Sequence, residues 1–357
     1  MEYKKVELGT QKLKRLDWLK PAELKLYTLQ FGSQSPTFDL WILHDETCAK
    51  DSELYGASKL RKLAYILPKL IQEGAQELLT VGSQGSHHVL STCVAGQRLG
   101  LPVHVALTPQ EHSSHSNKIY EQTCHLAHSV THFKAQTSQK FAQELKQWQQ
   151  QFTLKHSPLI PTGGSCLFGV FGMVEAVYEL VECLFNSDQS NGHKTPIPSD
   201  LYMATASGSS LAGLLLGLSL AWPSTHQLPK VFGVRVSDQS LVNRKKVLRL
   251  FTEAKEFLSV NVLVPYFEIL GDFIGPGYGL STAEAQTAIK WAHNHDLKFD
   301  LSYTAKAFGA LLSRERRLFL KTKHQKKPHI DSPQNQTQKV FLFWHSLDTR
   351  LAIQAPH

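Results

Sequence analysis

The sequence is poor in cysteine, in long apolar runs and in the usual catalytic signatures. Its five cysteines, Cys48, Cys93, Cys124, Cys166 and Cys183, are odd in number and never spaced as Cys-x-x-Cys. That argues against a disulfide framework or a zinc site and suits a reducing compartment. No stretch reaches the roughly 18 apolar residues that a membrane span needs, and the opening Met-Glu-Tyr-Lys-Lys-Val-Glu carries no apolar leader. A cytoplasmic protein is the expectation. Gly-x-Gly-x-x-Gly, His-Glu-x-x-His and Gly-x-Ser-x-Gly are all absent, which removes the signs of dinucleotide binding, zinc proteolysis and nucleophile-elbow hydrolysis. Gly208 and Gly213 have P-loop spacing, but Leu214-Leu215 stands where that loop needs Lys and Ser or Thr.

What the chain does contain is an ordinary globular composition, 42% hydrophobic and only 19% charged over 357 residues. A chain of that length exceeds one core and predicts two domains. Its 38 basic against 30 acidic residues give a net charge of +8, which favours anionic ligands. Part of that excess sits in one run, where Arg314, Arg316, Arg317, Lys321, Lys323, Lys326 and Lys327 meet one acid, Glu315. This run reads as a solvated helix end and loop; nucleic-acid binding through it is the rival reading. His112 and His115 are three residues apart, but nothing at ligand spacing completes a metal set.

Apolar strands alternate with helical patterns from Leu40 onward, which predicts β-α units and parallel sheets. Leu40 to His44 reads as a strand; Ser58 is placed to cap a helix bearing Leu60, Leu63, Ile66, Leu67 and Leu70 at helical spacing, with Lys59 at its start. Further strands are expected at 77–81, 102–107, 129–133, 201–206, 231–236 and 339–345, and helices at 86–99, 116–126, 138–150, 173–185, 283–295 and 304–320. Pro161 to Gly172 reads as a flexible junction.

The chemistry collects at two places. Ser207-Gly208-Ser209-Ser210 ends one strand and begins a helix, a phosphate cradle in physical terms, because small residues let amides approach an anion at the positive end of the helix. A desolvated lysine beside other cations has a lowered pKa and forms Schiff bases; Lys59, with Arg61 and Lys62 next to it, is the candidate.

Gly56-Ala57-Ser58-Lys59-Leu60-Arg61-Lys62-Leu63 resembles the Gly-Gly-Asn-Lys-x-Arg-Lys-Leu motif of the 1-aminocyclopropane-1-carboxylate deaminase and D-cysteine desulfhydrase family, within the tryptophan synthase β-like, fold type II pyridoxal phosphate enzymes. The likeness runs in order through Gly82 to His88, Ala206 to Gly213, Gly277 to Leu280, Asp300 to Ala307 and Phe341 to Ser346. It implies a two-domain α/β fold with open twisted parallel sheets: residues 1–60 and 174–357 as a large cofactor-binding domain, 61–173 as a small one. It also implies Lys59 as the Schiff-base lysine, Ser207, Gly208, Ser209 and Ser210 on the phosphate, Thr304 against the pyridine nitrogen and His87 beside the ring oxygen. Ser86, Tyr278 and Tyr303 lie by the substrate. The implied protein is a homodimeric lyase or deaminase acting on a small amino acid. Thr304 sides with the desulfhydrases, since deaminases carry Glu there and a neutral hydroxyl leaves a weaker electron sink. β-Elimination from D-cysteine to pyruvate, ammonia and sulfide is therefore expected. The alternatives are another amino-acid substrate, including 1-aminocyclopropane-1-carboxylate, or a low-turnover cofactor-binding protein. Ser58, Ser83, His87 and the His345-Ser346-Leu347-Asp348 segment depart from the family pattern.

Overall fold

The computed structural model describes residues 2–31, 37–111, 113–134, 137–153, 156–186, 195–325 and 339–350. The chain opens with an antiparallel hairpin, β1 (Tyr3–Leu8) and β2 (Gln11–Leu16), turning at Gly9 with φ +57°. Strand β3 (Glu23–Gln30) then pairs antiparallel with β4 (Thr37–His44). None of the first three strands is expected from the sequence, because each alternates Lys or Glu with single apolar residues and forms no continuous apolar run.

Helix α1 (Ser58–Gln72) follows, and after it the β-α alternation takes over: β5 (Leu78–Ser83), α2 (His87–Leu99), β6 (Val103–Thr108), α3 (Ser114–Leu126), β7 (Ser129–His132), α4 (Ser138–Gln149) and the short β8 (Leu159–Ile160). These strands form an all-parallel sheet in the order β7-β6-β5-β8. The second half supplies α5 (Phe168–Phe185), β9 (Asp200–Thr205), α6 (Ser209–Ala221), β10 (Lys230–Arg235), α7 (Arg244–Phe257), β11 (Phe267–Leu270), α8 (Ala283–His293), α9 (Thr304–Gln325) and β12 (Val340–His345). They join β4 and β3 in a six-stranded sheet, β11-β10-β9-β12-β4-β3, parallel except at the β3 edge. All six residues of β9 and of β12 are buried, the pattern of parallel strands covered on both faces. This is the mixed α/β, tryptophan synthase β-like fold that the sequence implies.

Two sequence expectations are corrected. Ser58 does not cap α1: the N-cap is Ala57, without a side-chain hydrogen bond, and Ser58 Oγ donates to the Ser346 carbonyl at 2.9 Å. The glycines at 169 and 172 are not a flexible junction but lie inside α5, where a Cβ would land on the carbonyl oxygens of Gly164 and Arg61 respectively. They are small because α1 and its neighbours pack directly against the α5 backbone.

Carboxyl ends of strands from both sheets converge. Gly82 and Ser83 at the end of β5, Thr108 and Pro109 after β6, Ser207 and Gly208 after β9, Ser237 after β10 and Ser346 after β12 all line one cavity of about 870 Å³. Ligands of open α/β sheets bind outside the carboxyl ends of the strands, and this cavity is such a place.

Candidate active site

The start of α1 reaches the cavity through an unusual turn. Gly56 takes φ +135°, and Ala57 takes φ +45° and ψ −120°, a region that costs a residue with a Cβ of order 1–3 kcal/mol. The turn is held from across the chain: Gly56 N donates to Asp348 Oδ2 at 3.0 Å, and Ser58 Oγ to Ser346 O. Lys59 is thereby delivered to the cavity wall, its Nζ 3.4 Å from Ser58 Oγ and 5.6 Å from the centre of the Tyr303 ring. Burial pushes its pKa down to about 8, with Asp300 and Asp45 opposing the shift. The cationic neighbourhood expected from Arg61 is not the cause. Arg61 is neutralised by Asp45 at 2.5 Å and Glu179 at 2.8 Å, so desolvation governs Lys59.

Opposite the lysine lies the start of α6. Gly208, the N-cap, takes φ +98°, a conformation that suits glycine. Ser165 Oγ donates to Ser207 O at 2.6 Å, and the Gly163–Gly164 turn lies against this end: a Cβ on Gly163 would strike Ser207 Oγ. Ser207, Gly208 and Ser210 line the cavity, while Ser209 is buried behind them with Oγ 3.4 Å from Gly164 O. The first-turn amides of a helix have no intrahelical acceptor, so this end offers donors and positive potential to an anion.

Lys62 is a further cavity-lining group that the sequence reading left as a neighbour of Lys59. Its Nζ donates to Gly163 O at 2.9 Å, and burial together with the Lys59 charge holds its pKa well below the usual lysine value. The spacing of three residues puts it on the same helix face as Lys59, a signal available in the sequence. His88 also lines the cavity. Neither of its ring nitrogens makes a hydrogen bond, and burial and then Lys62 push its pKa down to about 3. His87 is turned away instead, its Nδ1 paired with the Tyr55 hydroxyl and its Nε2 2.8 Å from His115 Nε2.

The remaining wall comes from α2 and α9. Ser86 caps α2, its hydroxyl accepting from Val89 N at 3.4 Å, and lines the cavity. Tyr278 and Tyr303 share a hydroxyl–hydroxyl hydrogen bond on the cavity surface, and burial raises the pKa of both. Asp300 accepts from the amides of Ser302, Tyr303 and Thr304 at 2.7–2.8 Å and so fixes the start of α9. Thr304 Oγ1 is buried with no partner, as is Thr205 Oγ1 on the cavity wall. Unpaired buried hydroxyls are costly; Thr205 marks a place for a ligand atom on the wall, while Thr304, expected against the pyridine nitrogen, is next in the chain to the cavity-lining Tyr303 and does not itself line the cavity.

An anion-binding helix end, a desolvated lysine and an unpaired hydroxyl fit pyridoxal phosphate. Residues 40–325 match the family described as pyridoxal-phosphate dependent enzyme, and the chain belongs to that family. Within it the chain falls in the group of 1-aminocyclopropane-1-carboxylate deaminases and D-cysteine desulfhydrases. It is 28% identical to the D-cysteine desulfhydrase of Yersinia enterocolitica over 72% of this chain and 76% of that one. It is 30% identical to a protein of Pyrococcus horikoshii provisionally named 1-aminocyclopropane-1-carboxylate deaminase, over 73% and 76% of the two chains. Among solved structures it resembles a homologue of that deaminase with a TM-score of 0.69 at 24% identity, covering 94% of this chain and 91% of that one. The cofactor of the family is pyridoxal phosphate.

Among the described residues no helix is long and apolar enough to cross a membrane. In the basic run, Arg314 stacks over Phe232 and bonds Tyr202 and Glu315, and Lys339 joins Glu315 at 2.5 Å. One of its charges is therefore spent inside the fold; Lys326 and Lys327 lie outside the described residues.

Proposed function

We propose that the protein is a D-cysteine desulfhydrase-like lyase that converts D-cysteine and water to pyruvate, ammonia and hydrogen sulfide. The observation that carries this reading is Thr304, a neutral, buried and unpartnered hydroxyl, where a deaminase is expected to have a carboxylate. When bound, pyridoxal phosphate supplies an electrophilic carbon for the substrate amine and an electron sink for the α-carbon. A neutral hydroxyl in place of a carboxylate at the ring nitrogen would support a modest sink, sufficient to expel a thiolate and poorly suited to opening a cyclopropane.

The chain's own groups divide the rest of the work. Lys59 Nζ would hold the cofactor through its carbonyl carbon and serve as the base for the substrate α-proton. Lys62 and the α6 end, Ser207 through Ser210, hold the phosphate. Ser86, at the positive end of α2, binds the substrate carboxylate. The Tyr278–Tyr303 hydroxyl pair, with the Tyr303 ring centre 5.6 Å from Lys59 Nζ, would pass a proton to the departing sulfur. His87 acts through Tyr55 and His115 to shape that wall. The same resemblance supports a small-amino-acid substrate and a homodimer, which sedimentation would read as twice the chain mass.

The test is to load the purified protein with pyridoxal phosphate and assay sulfide and pyruvate from D-cysteine. Both should appear together and be lost in Lys59→Ala. Ammonia and 2-oxobutanoate from 1-aminocyclopropane-1-carboxylate, with no sulfide from D-cysteine, would overturn the assignment in favour of deamination.

A further inference from the structure

Beside the cavity, where β4 and β12 end together, two imidazoles and one carboxylate face each other. His44 and His345 are register partners on the two adjacent strands. Glu46, in the turn after β4, has one carboxylate oxygen 2.8 Å from His44 Nδ1 and the other 2.9 Å from His345 Nδ1. His345 is 2% exposed and neither of its ring nitrogens makes a hydrogen bond, and Glu46 Oε2 likewise has no hydrogen-bond partner. Donor atoms of all three residues lie within 4.8 Å of one another.

We propose that His44, Glu46 and His345 bind one divalent transition-metal ion, with zinc the best match to two imidazoles and a carboxylate. Glu46 pairs with both imidazoles, at 2.8 Å with His44 and 2.9 Å with His345, but only the His44 contact has hydrogen-bond alignment, and His345 is nearly wholly buried. A metal uses all three groups. Bonds of about 2.0–2.2 Å in tetrahedral geometry put neighbouring donors about 3.3 Å apart, inside the 4.8 Å that spans one donor atom from each residue here. Three protein ligands leave one position for water.

Two surrounding features favour a cation. His44 Nε2 lies 3.4 Å from the Tyr27 hydroxyl, the outer partner that metal-bound histidines use to fix ring orientation. Next in the chain, Asp45 pairs with Arg61, which also holds Glu179. Two carboxylates therefore share that guanidinium and leave none of its charge for Glu46, whose own charge a dication would offset. The consequence reaches the lysine turn, because Ser346 adjoins His345 and accepts from Ser58 Oγ. An ion here pins both strand ends that support Lys59, in a positioning role.

The site is tested on the cofactor-loaded protein, stripped with a chelator and titrated with Zn²⁺ and with Co²⁺ as a spectroscopic substitute. Since the chain has 18 histidines, the wild type is compared with Glu46→Gln and His345→Asn. The expected result is one ion per chain by mass spectrometry and a Co²⁺ visible spectrum of four-coordinate type. Both variants should lose that ion, with affinity down by more than the tenfold to about a hundredfold that loss of an outer partner produces. Tyr27→Phe should keep the stoichiometry with weaker binding. If the wild type retains no more metal than Glu46→Gln, or if both variants still bind one ion with wild-type affinity, the proposal fails; a misfolded variant does not rescue it, because the first result needs only wild-type protein.

Discussion

The lowered pKa of Lys59 has a consequence that can be measured before any substrate is known. Burial takes it from 10.5 to about 8, so at pH 7 about one chain in ten carries the neutral amine, about 300-fold more than an ordinary lysine would. Covalent capture of pyridoxal phosphate by the apoprotein needs that neutral amine. Its rate should rise tenfold per pH unit below about 8 and level off above it. Stopped-flow absorbance of capture across pH 6 to 10 checks this. The same shift has a stability side. Between about 8 and 10.5 the unfolded chain holds a proton at Lys59 that the folded chain has released, so stability of the apoprotein rises with pH across that window. Below about 8 both states are protonated and the whole desolvation penalty is present, of order 3 kcal/mol. Lys59→Met removes the charge and keeps the bulk, so it should be more stable than wild type at pH 7 by up to about that amount, with the difference closing toward pH 10.5. A capture midpoint near 10.5, or parallel stability curves for the two proteins, would refute desolvation as the cause.

Four other outcomes follow from the same geometry. Thr304→Val removes a buried hydroxyl that has no partner; the apoprotein should be as stable as wild type or better by about 1 kcal/mol, while equilibrium titration should show cofactor affinity down about tenfold. Ala57→Gly relieves the φ +45°, ψ −120° turn, and strain relief of about 1–3 kcal/mol should outweigh about 0.5–1 kcal/mol of added chain entropy, raising the melting temperature by roughly 2–4 °C. Asp348→Ala leaves Gly56 N and Arg350 without their carboxylate, and denaturant unfolding should show a loss of about 2–3 kcal/mol with slower cofactor capture. Gly172→Ala drives a methyl onto the Arg61 carbonyl and should cost about 3 kcal/mol or more, read as loss of soluble folded protein.

The β-α core is legible because its signals are local. Buried parallel strands read as apolar runs, and the helices announce their ends: Gly100 closes α2 at φ +68°, and Ser86 and Thr137 cap α2 and α4 through their hydroxyls. The N-terminal strands are not legible, since β1 and β3 are mostly exposed or half-exposed and their pairing partners, not their composition, make them strands. Gly169 and Gly172 mislead for the opposite reason: glycine looks flexible, and nothing in the sequence says that another backbone touches it. At the site, Lys59 and the Ser207–Ser210 turn stand out by residue type. Spacing puts Lys62 on the helix face of Lys59, but its burial and the inward turn of His88 in place of His87 follow from how α1 and α2 pack on the Gly163–Gly164 turn.

The departures from the family pattern at Ser58, His87 and the 345–348 segment prove to be neighbours. Ser58 bonds Ser346, Asp348 holds Gly56 of the lysine turn, and His87 pairs with Tyr55, over whose ring the Arg350 guanidinium sits at 5.7 Å. Positions 55–58, 87 and 346–350 thus form one connected patch beneath the lysine, and side chains in it depend on one another: a carboxylate at 348 supplies the acceptor that Gly56 N uses, and the imidazole at 87 is the partner of the Tyr55 hydroxyl. The Ser207–Ser210 helix end and Thr304 lie outside this patch and make none of these contacts. Coupled substitution confined to one wall alters how the lysine turn is braced and how that wall meets a substrate, while leaving the opposite wall free to keep its anion-binding geometry. Removing the His87 ring alone should therefore destabilise the apoprotein by stranding the buried Tyr55 hydroxyl, and Tyr55→Phe in the same chain should restore it.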